Sequence, residues 1–98
     1  MSFIQIIEHQ TSRIEEIAKL AEEMRASRPG PNPVVRMAVG ADRDNPGRYF
    51  TIVEFESYEA AMANSDDPAT QEFAGRFAEL LDAPPVFYNL DVIVQETT

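Results

Sequence analysis

The segment "DNPGRYFTIVEFESYEAA", residues 44–61, holds a turn, a strand and the start of a helix in eighteen letters. Residues 44–47 are of the types that favour tight turns, and the aromatic and β-branched run over 48–56 is typical of a strand. Ser57 then suits a helix N-cap, with Glu59 in the first turn, where the helix dipole favours negative charge. The segment predicts structure, and it contains no nucleophile, metal cluster or phosphate loop.

Upstream of this segment the pattern predicts a strand, a helix and a second strand. Residues 3–9 are short and rich in isoleucine, which favours a strand. Ser12 and Glu15 have the spacing of a capping box, and apolar residues follow at helical intervals. Prolines and a glycine over residues 28–33 end that helix, and alternation over 34–42 predicts the next strand.

Downstream, the helix after the segment is predicted to run to about Asn64. A further helix is predicted to begin with Asp67 as its N-cap and Pro68 at its first helical position. Its apolar face comprises Phe73, Phe77, Leu80 and Leu81. Residues 83–85 end it and 86–95 alternate as a last strand. The order βαββαβ predicts an α+β, ferredoxin-like fold with a four-stranded antiparallel sheet and two helices on one face.

Composition limits what such a fold could bind. The 98 residues make one domain, residues 1–98, with a net charge of −9 that repels nucleic acid and anionic lipid. There is no cysteine, and no apolar run approaches the roughly 20 residues of a membrane span. We therefore expect a cytoplasmic protein with no nucleic acid partner, no membrane and no metal.

Both faces of the predicted sheet carry large apolar side chains. In the first strand Phe3 and Ile7 lie on one side and Ile4 on the other, and the third strand divides in the same way. Two helices cover only one face, so the second would be an exposed apolar patch. We expect a homodimer in which two copies cover each other's sheets.

Two stretches carry a resemblance to a known family. "DNPGRYFTIVEFESYEAAMANS", residues 44–65, and "LLDAPPVFYNLDVI", residues 80–93, resemble the antibiotic biosynthesis monooxygenase-like group of dimeric α/β barrel proteins. The likeness extends over nearly the whole chain. It implies a homodimer whose two sheets form a shared barrel, and a pocket between helices and sheet in each subunit.

The chain departs from that family at residues that carry chemistry. Members that oxygenate polycyclic phenols without a cofactor, and those that degrade haem, usually rely on a tryptophan or histidine near the second helical region. This chain has no tryptophan, and its one histidine is His9 on the first strand. Phe55 stands where many members have the tryptophan of a Trp-Glu-Ser step. These departures disfavour haem degradation, and quinone-forming oxygenation without a cofactor stays open.

Two residues are candidates for catalysis. His9 is the side chain whose ordinary pKa lies near neutrality, which suits a general base. Asn64, near the break between the predicted helices, could orient a carbonyl or oxygen species. The alternative readings are a polar contact at a strand end for His9 and a helix-terminating asparagine for Asn64.

A pocket for a small apolar or aromatic ligand is expected on the helix side of the sheet, near residues 63–68. Its predicted lining is Thr51, Phe55, Phe73, Phe77 and Tyr88. With no cysteine, no phosphate loop and one histidine, we expect any oxidation to need no cofactor. A non-catalytic ligand-binding or structural dimer is the main alternative.

An RNA-recognition motif is a more distant alternative. Residues 48–55, "RYFTIVEF", match its third-strand pattern at four positions and miss it at others, and Phe3 would be the first-strand stacking residue. The charge of −9 argues against a backbone-binding groove. The comparison assigns four residues to the open face and hence to the expected dimer interface, namely Phe3, Ile7, Phe50 and Ile52.

Overall fold

The computed structural model describes residues 2–27 and 33–96, and its elements follow the predicted order. The elements are β1 (Phe3–Gln10), α1 (Ile14–Ser27), β2 (Val34–Ala41), β3 (Arg48–Phe55), α2 (Tyr58–Asp66), α3 (Pro68–Glu79) and β4 (Val86–Asp91). The predicted loop over 28–33 lies outside the described residues except for Pro33. Within the described ranges, no helix is both long enough and apolar enough to cross a membrane.

The starts of α2 and α3 confirm the predicted caps. The Ser57 hydroxyl accepts a hydrogen bond of 3.0 Å from the Ala60 N–H, and the Asp67 carboxylate accepts one of 2.8 Å from the Ala69 N–H. Pro68 occupies the first turn of α3, where its missing N–H costs nothing. The second helical region is therefore two helices joined at one residue.

The start of α1 differs from the prediction. The helix begins at Ile14, two residues after Ser12. The hydroxyl of the buried Thr11 instead accepts a bond of 2.9 Å from the Arg13 N–H and donates one of 2.7 Å to the Leu80 carbonyl. Thr11 therefore ties the start of α1 to the end of α3, a long-range contact that the local capping pattern does not contain.

The turn between β2 and β3 is held by Asp42. Its carboxylate accepts bonds from the Asp44 N–H at 2.9 Å and the Asn45 amide at 3.0 Å, and the bond from Asp44 is the main reason that the pKa of Asp42 is lowered. Gly47 closes the turn with a φ of 88°, a conformation that favours glycine. Its carbonyl accepts a 3.0 Å bond from the Thr11 N–H.

The four strands form one antiparallel sheet in the order β2-β3-β1-β4, which confirms the ferredoxin-like fold. In the central pair, Phe3 lies opposite Phe55. The last strand ends at Asp91, whereas the predicted strand extended to residue 95. Residues directly opposite one another share a face, so the register assigns every strand residue to the helix side or to the open face.

Two apolar clusters lie between the sheet and the helices. The first consists of Phe3, Val53, Phe55 and Ala61, and the second of Ile17, Leu20 and Phe77. The first joins the β1–β3 pair to α2, and the second joins α1 to α3 with Ile7 of β1 packed against it. The helix layer thus covers mainly the two central strands, and the outer strands keep exposed apolar side chains on both faces.

The register corrects the predicted face of three residues. Phe3 and Ile7 pack in the clusters under the helices, so their predicted place on the open face was wrong. Tyr88 lies on the open face, so its predicted place on the helix side was wrong. Phe50 and Ile52 lie on the open face as predicted. Alternation sorts one strand into two sets, but when both sets are apolar it does not say which set meets the helices.

Candidate functional site

His9 is the side chain that the fold buries most unexpectedly. It lies on the helix side of β1 and is only 1% exposed. Its imidazole stacks on the ring of Tyr49 from β3 at a centroid distance of 5.9 Å, and it meets the ring of Phe77 from α3 edge-on at 5.1 Å. A strand and a helix therefore hold the ring in an aromatic, water-poor environment.

One hydrogen bond connects this imidazole to the rest of the described chain. His9 Nε2 lies 2.9 Å from the hydroxyl oxygen of Thr51 on β3. His9 Nδ1 is buried and has no hydrogen-bond partner in the described part of the chain. A buried polar atom without a partner costs about 1–3 kcal/mol, and such exceptions need a reason. We call His9 and Thr51 the imidazole–hydroxyl pair.

Burial also sets the charge of the imidazole. Removal from water disfavours the protonated form and lowers the pKa of His9 below its ordinary value. No carboxylate is hydrogen-bonded to either ring nitrogen in the described residues. At neutral pH His9 is therefore uncharged, with one nitrogen protonated and the other carrying a lone pair that can accept a proton.

An exposed apolar surface adjoins the imidazole–hydroxyl pair. On β2, Val39 lies directly opposite Thr51 and Met37 lies opposite Val53, so both face the helix side. They are 51% and 44% exposed, because the helix layer ends over the central strands. We call Met37 and Val39 the apolar shelf. Thr51 is half-buried at its border.

The predicted pocket residues separate into three locations. Thr51 bonds the imidazole, Phe77 packs against it, and Phe73 stacks on Phe77 at 5.9 Å. Phe55 belongs to the other cluster, around Phe3, and Tyr88 lies on the opposite face of the sheet. Two of the five predicted residues, Thr51 and Phe77, therefore contact His9, and a pocket lined by all five stays a prediction.

Two open clefts, of about 290 and 320 Å³, lie between α1 and α3. Phe73 lines the first, which the ion pair of Arg76 and Glu23 crosses at 3.2 Å. Neither cleft is lined by His9, by Thr51 or by any of residues 63–68. A cavity beside residues 63–68 stays a prediction.

Asn64 lies near the end of α2, where it joins α2 to α3. Its backbone carbonyl accepts a 3.2 Å bond from the Asp67 N–H, and its side-chain oxygen accepts one of 3.3 Å from the Thr70 hydroxyl. Both bonds fit the structural reading of this asparagine, and a role toward a ligand stays a prediction.

The open face carries a polar network at one end. Arg48 lies 3.3 Å from Glu8 and 3.8 Å from Asp42, and its guanidinium is 5.0 Å from the centre of the Phe50 ring. The Tyr88 hydroxyl donates a 3.1 Å hydrogen bond to Glu8, which raises the pKa of Tyr88. One guanidinium is therefore shared between two carboxylates at this end of the face, and its buried Nε has no hydrogen-bond partner among the described residues.

A second polar group lies at the other end of the open face. Glu54 is only 9% exposed, lies 4.0 Å from Arg36 and accepts a 3.3 Å bond from the Gln95 amide. Between the two ends the face is apolar, with Ile4, Ile6, Ile52 and Leu90. The open face is therefore an apolar strip bordered by paired charges.

The position of Phe3 removes a requirement of the RNA-recognition reading. That reading needs the first-strand aromatic on the open face, where bases could stack on it. Phe3 is 3% exposed and packs under α2. The first-strand stacking residue that this reading requires is therefore not on the open face, where Phe50 and Tyr88 are the aromatic residues of the described strands.

The described residues contain no group of three or more His, Cys, Asp or Glu side chains that could hold a metal ion. The chemistry that the imidazole–hydroxyl pair can perform by itself is proton transfer to or from a ligand on the apolar shelf. The charged residues of the open face lie on the other side of the sheet.

Sequence reasoning identified His9 and Thr51 separately but did not join them, and it missed Tyr49 as the stacking partner of His9. The signal that would have joined them is the pairing of β1 with β3, in which His9 lies opposite Tyr49 and diagonal to Thr51. The register pairs Phe3 with Phe55, both of them buried, and alternation along a single strand does not predict which residues of two strands lie opposite one another.

Comparison with known proteins supports the fold. No family model and no curated protein sequence matches the chain. Among solved structures, a conserved protein from Methanosarcina mazei superposes with a TM-score of 0.78 at 12% identity, covering 92% of this chain and 91% of that one. SnoaB is a cofactor-independent oxygenase from Streptomyces nogalater that was solved as an asparagine-to-alanine variant. It superposes with a TM-score of 0.77 at 13% identity, covering 96% of this chain and 95% of that one. A structure described as an antibiotic biosynthesis monooxygenase superposes with a TM-score of 0.71 at 14% identity, covering 96% of this chain and 100% of that one. At these identities the likeness establishes the fold, which is the one that the resemblance implied.

Proposed function

We propose that this chain is a cofactor-independent monooxygenase that acts as a homodimer on a hydroxylated aromatic compound. The observation that carries the proposal is His9, a neutral imidazole at 1% exposure with Nδ1 unpartnered among the described residues and Nε2 bonded to a half-buried hydroxyl. A structural histidine would be expected to satisfy both nitrogens. Here a candidate general base is kept uncharged at neutral pH, so that one ring nitrogen carries a lone pair that can accept a proton.

The fold is compatible with this chemistry. SnoaB, whose fold this chain shares, is described as a cofactor-independent oxygenase, and further neighbours are described as antibiotic biosynthesis monooxygenases. Fold likeness at 13% identity does not transfer an activity, so the proposal depends on the site of this chain.

The reaction needs a base, a dry apolar surface and dioxygen. Removal of a proton from a phenol or anthrone leaves a delocalised anion, which supplies the electrons that reduce O₂. One oxygen atom enters the substrate as a quinone carbonyl and the other leaves as water, so no external reductant is required. The apolar shelf would stabilise a flat, delocalised anion better than a localised charge.

Asn64 is proposed to orient the oxygen atom of the substrate from the helix side. Its position at the α2–α3 junction would let a small change in the angle between the two helices move the amide toward or away from the ligand. Asn64→Ala should then lower turnover more than it lowers stability. A loss of stability with unchanged turnover would restrict Asn64 to its bond with Thr70.

The homodimer is proposed from the open face. Its apolar strip is bordered by the paired charges of Arg48 and Arg36 with their carboxylates, so a second copy could cover it without leaving a charge unpaired. Face-to-face packing of two sheets is a common way to bury such a surface. Light scattering at micromolar concentration tests the assembly directly.

The decisive experiment is an aerobic assay of metal-stripped protein against polycyclic phenols and anthrones, with O₂ consumption and quinone absorbance as readouts. His9→Gln keeps a polar, non-titrating side chain and should lower turnover by about 10²–10⁴-fold. Turnover that requires added haem, iron or flavin, or that His9→Gln leaves unchanged, would contradict the proposal. Phe87→Ala, which changes an exposed residue, is the matched control.

A non-catalytic ligand-binding dimer is the second candidate. The exposed Met37 and Val39 favour it, since an apolar ligand could occupy the shelf without any chemistry. Binding of flat aromatics to wild type and to His9→Gln with equal affinity, and no turnover by either, would support this candidate.

A further inference from the structure

Thr51 stands between the buried imidazole and the surface. His9 is 1% exposed, and the rings of Tyr49 and Phe77 pack against it, so a ligand on the apolar shelf does not reach its nitrogens directly. Thr51 is half-buried, lies opposite the exposed Val39, and bonds His9 Nε2 at 2.9 Å. In the described residues this hydroxyl is the one polar group in hydrogen-bond contact with the imidazole.

We propose that Thr51 is the group that contacts the ligand and that it relays the ligand's proton to His9 Nε2. The inference rests on the proposed function, because it specifies how the base of that site is reached. It also makes Thr51 a specificity-determining residue, since a ligand would need a hydroxyl or a similar donor within reach of Thr51 to be deprotonated.

The relay balances without any other reactant. The O–H bond of the ligand breaks and its proton joins the oxygen of Thr51, while the original proton of Thr51 moves to His9 Nε2. Thr51 ends as it began, the ligand becomes an anion, and His9 becomes an imidazolium with both nitrogens protonated. No electron is transferred in this step.

The relay requires one tautomer of His9. Thr51 can donate to Nε2 only if that nitrogen carries the lone pair, which places the proton of the neutral ring on Nδ1. In the opposite tautomer Nε2–H donates to Thr51 and Nε2 cannot receive a proton, so no proton can be relayed. The two tautomers leave the heavy atoms in the same positions, so the distance of 2.9 Å is compatible with both.

The tautomer can be read from the protein without any substrate. His9 is the one histidine of the chain, so ¹⁵N NMR of histidine-labelled protein gives two ring signals that need no assignment among residues. At a pH above the titration of His9, we expect a protonated Nδ1 and an unprotonated Nε2. The reverse pattern would overturn the relay, whether or not a substrate is ever found.

Substitution of Thr51 tests the contact with the ligand. Thr51→Val removes the hydroxyl and keeps the branched shape, and Thr51→Ser keeps the hydroxyl. With 1-naphthol as probe, Thr51→Val should weaken binding by about two- to tenfold, whereas affinity for 1-methoxynaphthalene, which cannot donate, should stay unchanged. Thr51→Ser should restore the difference between the probes. Equal effects on both probes would show a packing role only and would overturn the proposal.

Turnover separates this inference from the proposed function. If a substrate is found, Thr51→Val should lower kcat and Thr51→Ser should recover it, with circular dichroism as the check on folding. If no compound is oxidised, the proposed oxygenase fails. The tautomer and the naphthol discrimination then still decide whether Thr51 is the contact that reaches His9.

Discussion

The two faces of the sheet carry similar apolar residues but treat their polar groups in opposite ways. On the open face, Arg48 and Tyr88 both engage Glu8, and Glu54 is paired at the other end, so each of these charges has an opposite charge beside it, although Arg48 Nε has no hydrogen-bond partner among the described residues. On the helix side, His9 has a single partner, and its Nδ1 has none among the described residues. An apolar face bordered by ion pairs is suited to being covered by another polypeptide, whereas a buried imidazole that bonds only a half-buried hydroxyl is suited to proton transfer with a small molecule.

The largest effect is expected from a substitution on the open face, which should disrupt the proposed dimer. Ile52→Asp places a carboxylate in the middle of the apolar strip, where a covering copy would leave it buried and unpaired, at a cost of about 3–5 kcal/mol. We expect the dimer to dissociate, as measured by light scattering at micromolar concentration. Val39→Asp, which puts the same group on the exposed helix side, is the matched control and should remain dimeric.

A monomeric wild type at micromolar concentration would contradict the dimer at once. So would an Ile52→Asp variant that stays dimeric and as stable as wild type. If both aspartate variants dissociate, the interface includes β2 from both sides, and the assignment of the open face as the interface would be incomplete.

The second effect is on the helix side. Phe77 is buried and covers the imidazole edge-on, so Phe77→Ala should cost about 3 kcal/mol and admit water to His9. The pKa of His9 should then rise toward its ordinary value, because burial is the cause of its lowering. Urea unfolding and an NMR titration of the histidine measure the two effects. Phe87→Ala, at a residue that is 53% exposed, should change neither.

The sequence predicts some features of the two faces correctly and others wrongly, depending on whether the feature is local in the chain. Turn and cap residues such as Gly47, Ser57 and Asp67 act within a few positions, so their roles were predicted correctly. The faces of Phe3 and Tyr88 were predicted wrongly, because they follow from pairing between strands that are far apart in the chain. Local sequence patterns therefore predict the turns and helix starts, whereas the register between strands decides on which face of the sheet a side chain lies.

The candidate site was predictable only as separate residues for the same reason. The sequence named His9 as a candidate base and Thr51 as a predicted pocket residue, and both roles stay predictions. Their distance of 2.9 Å needs both the β1–β3 pairing and the packing of α3 over β1. The unpartnered Nδ1 is a property of the folded environment, which no local pattern contains.

A third, smaller effect is a pH dependence of stability that comes from the helix side. The pKa of His9 is lowered by burial, so below its ordinary value of about 6.5 the unfolded chain takes up a proton that the folded chain resists. The contribution of His9 to stability is therefore complete above that pH and is lost as the pH falls from there toward the lowered pKa. One proton limits the slope to about 1.4 kcal/mol per pH unit.

Urea unfolding between pH 7.5 and 5.5 measures this slope, since most carboxylates titrate at lower pH. His9→Gln removes the titrating group and should flatten the curve over that range. A slope that His9→Gln leaves unchanged would place its origin elsewhere and would contradict the burial of a neutral imidazole.

The smallest expected effect is a shift in the pKa of Tyr88, which lies on the open face. The hydrogen bond from Tyr88 to Glu8 is the main reason that the pKa of Tyr88 is raised, with the nearby negative charge adding to it. In an absorbance titration of the phenols, Glu8→Gln should therefore move part of the alkaline transition to lower pH, and Tyr88→Phe should remove that part. Because Arg48 also faces Glu8, Arg48→Gln is the informative control: it removes a cation that lowers the pKa of Tyr88 and should shift the transition the other way. If Glu8→Gln and Arg48→Gln shift it in the same direction, the network of paired charges on the open face is not the one described, and the contrast with the helix side would have to rest on His9 alone.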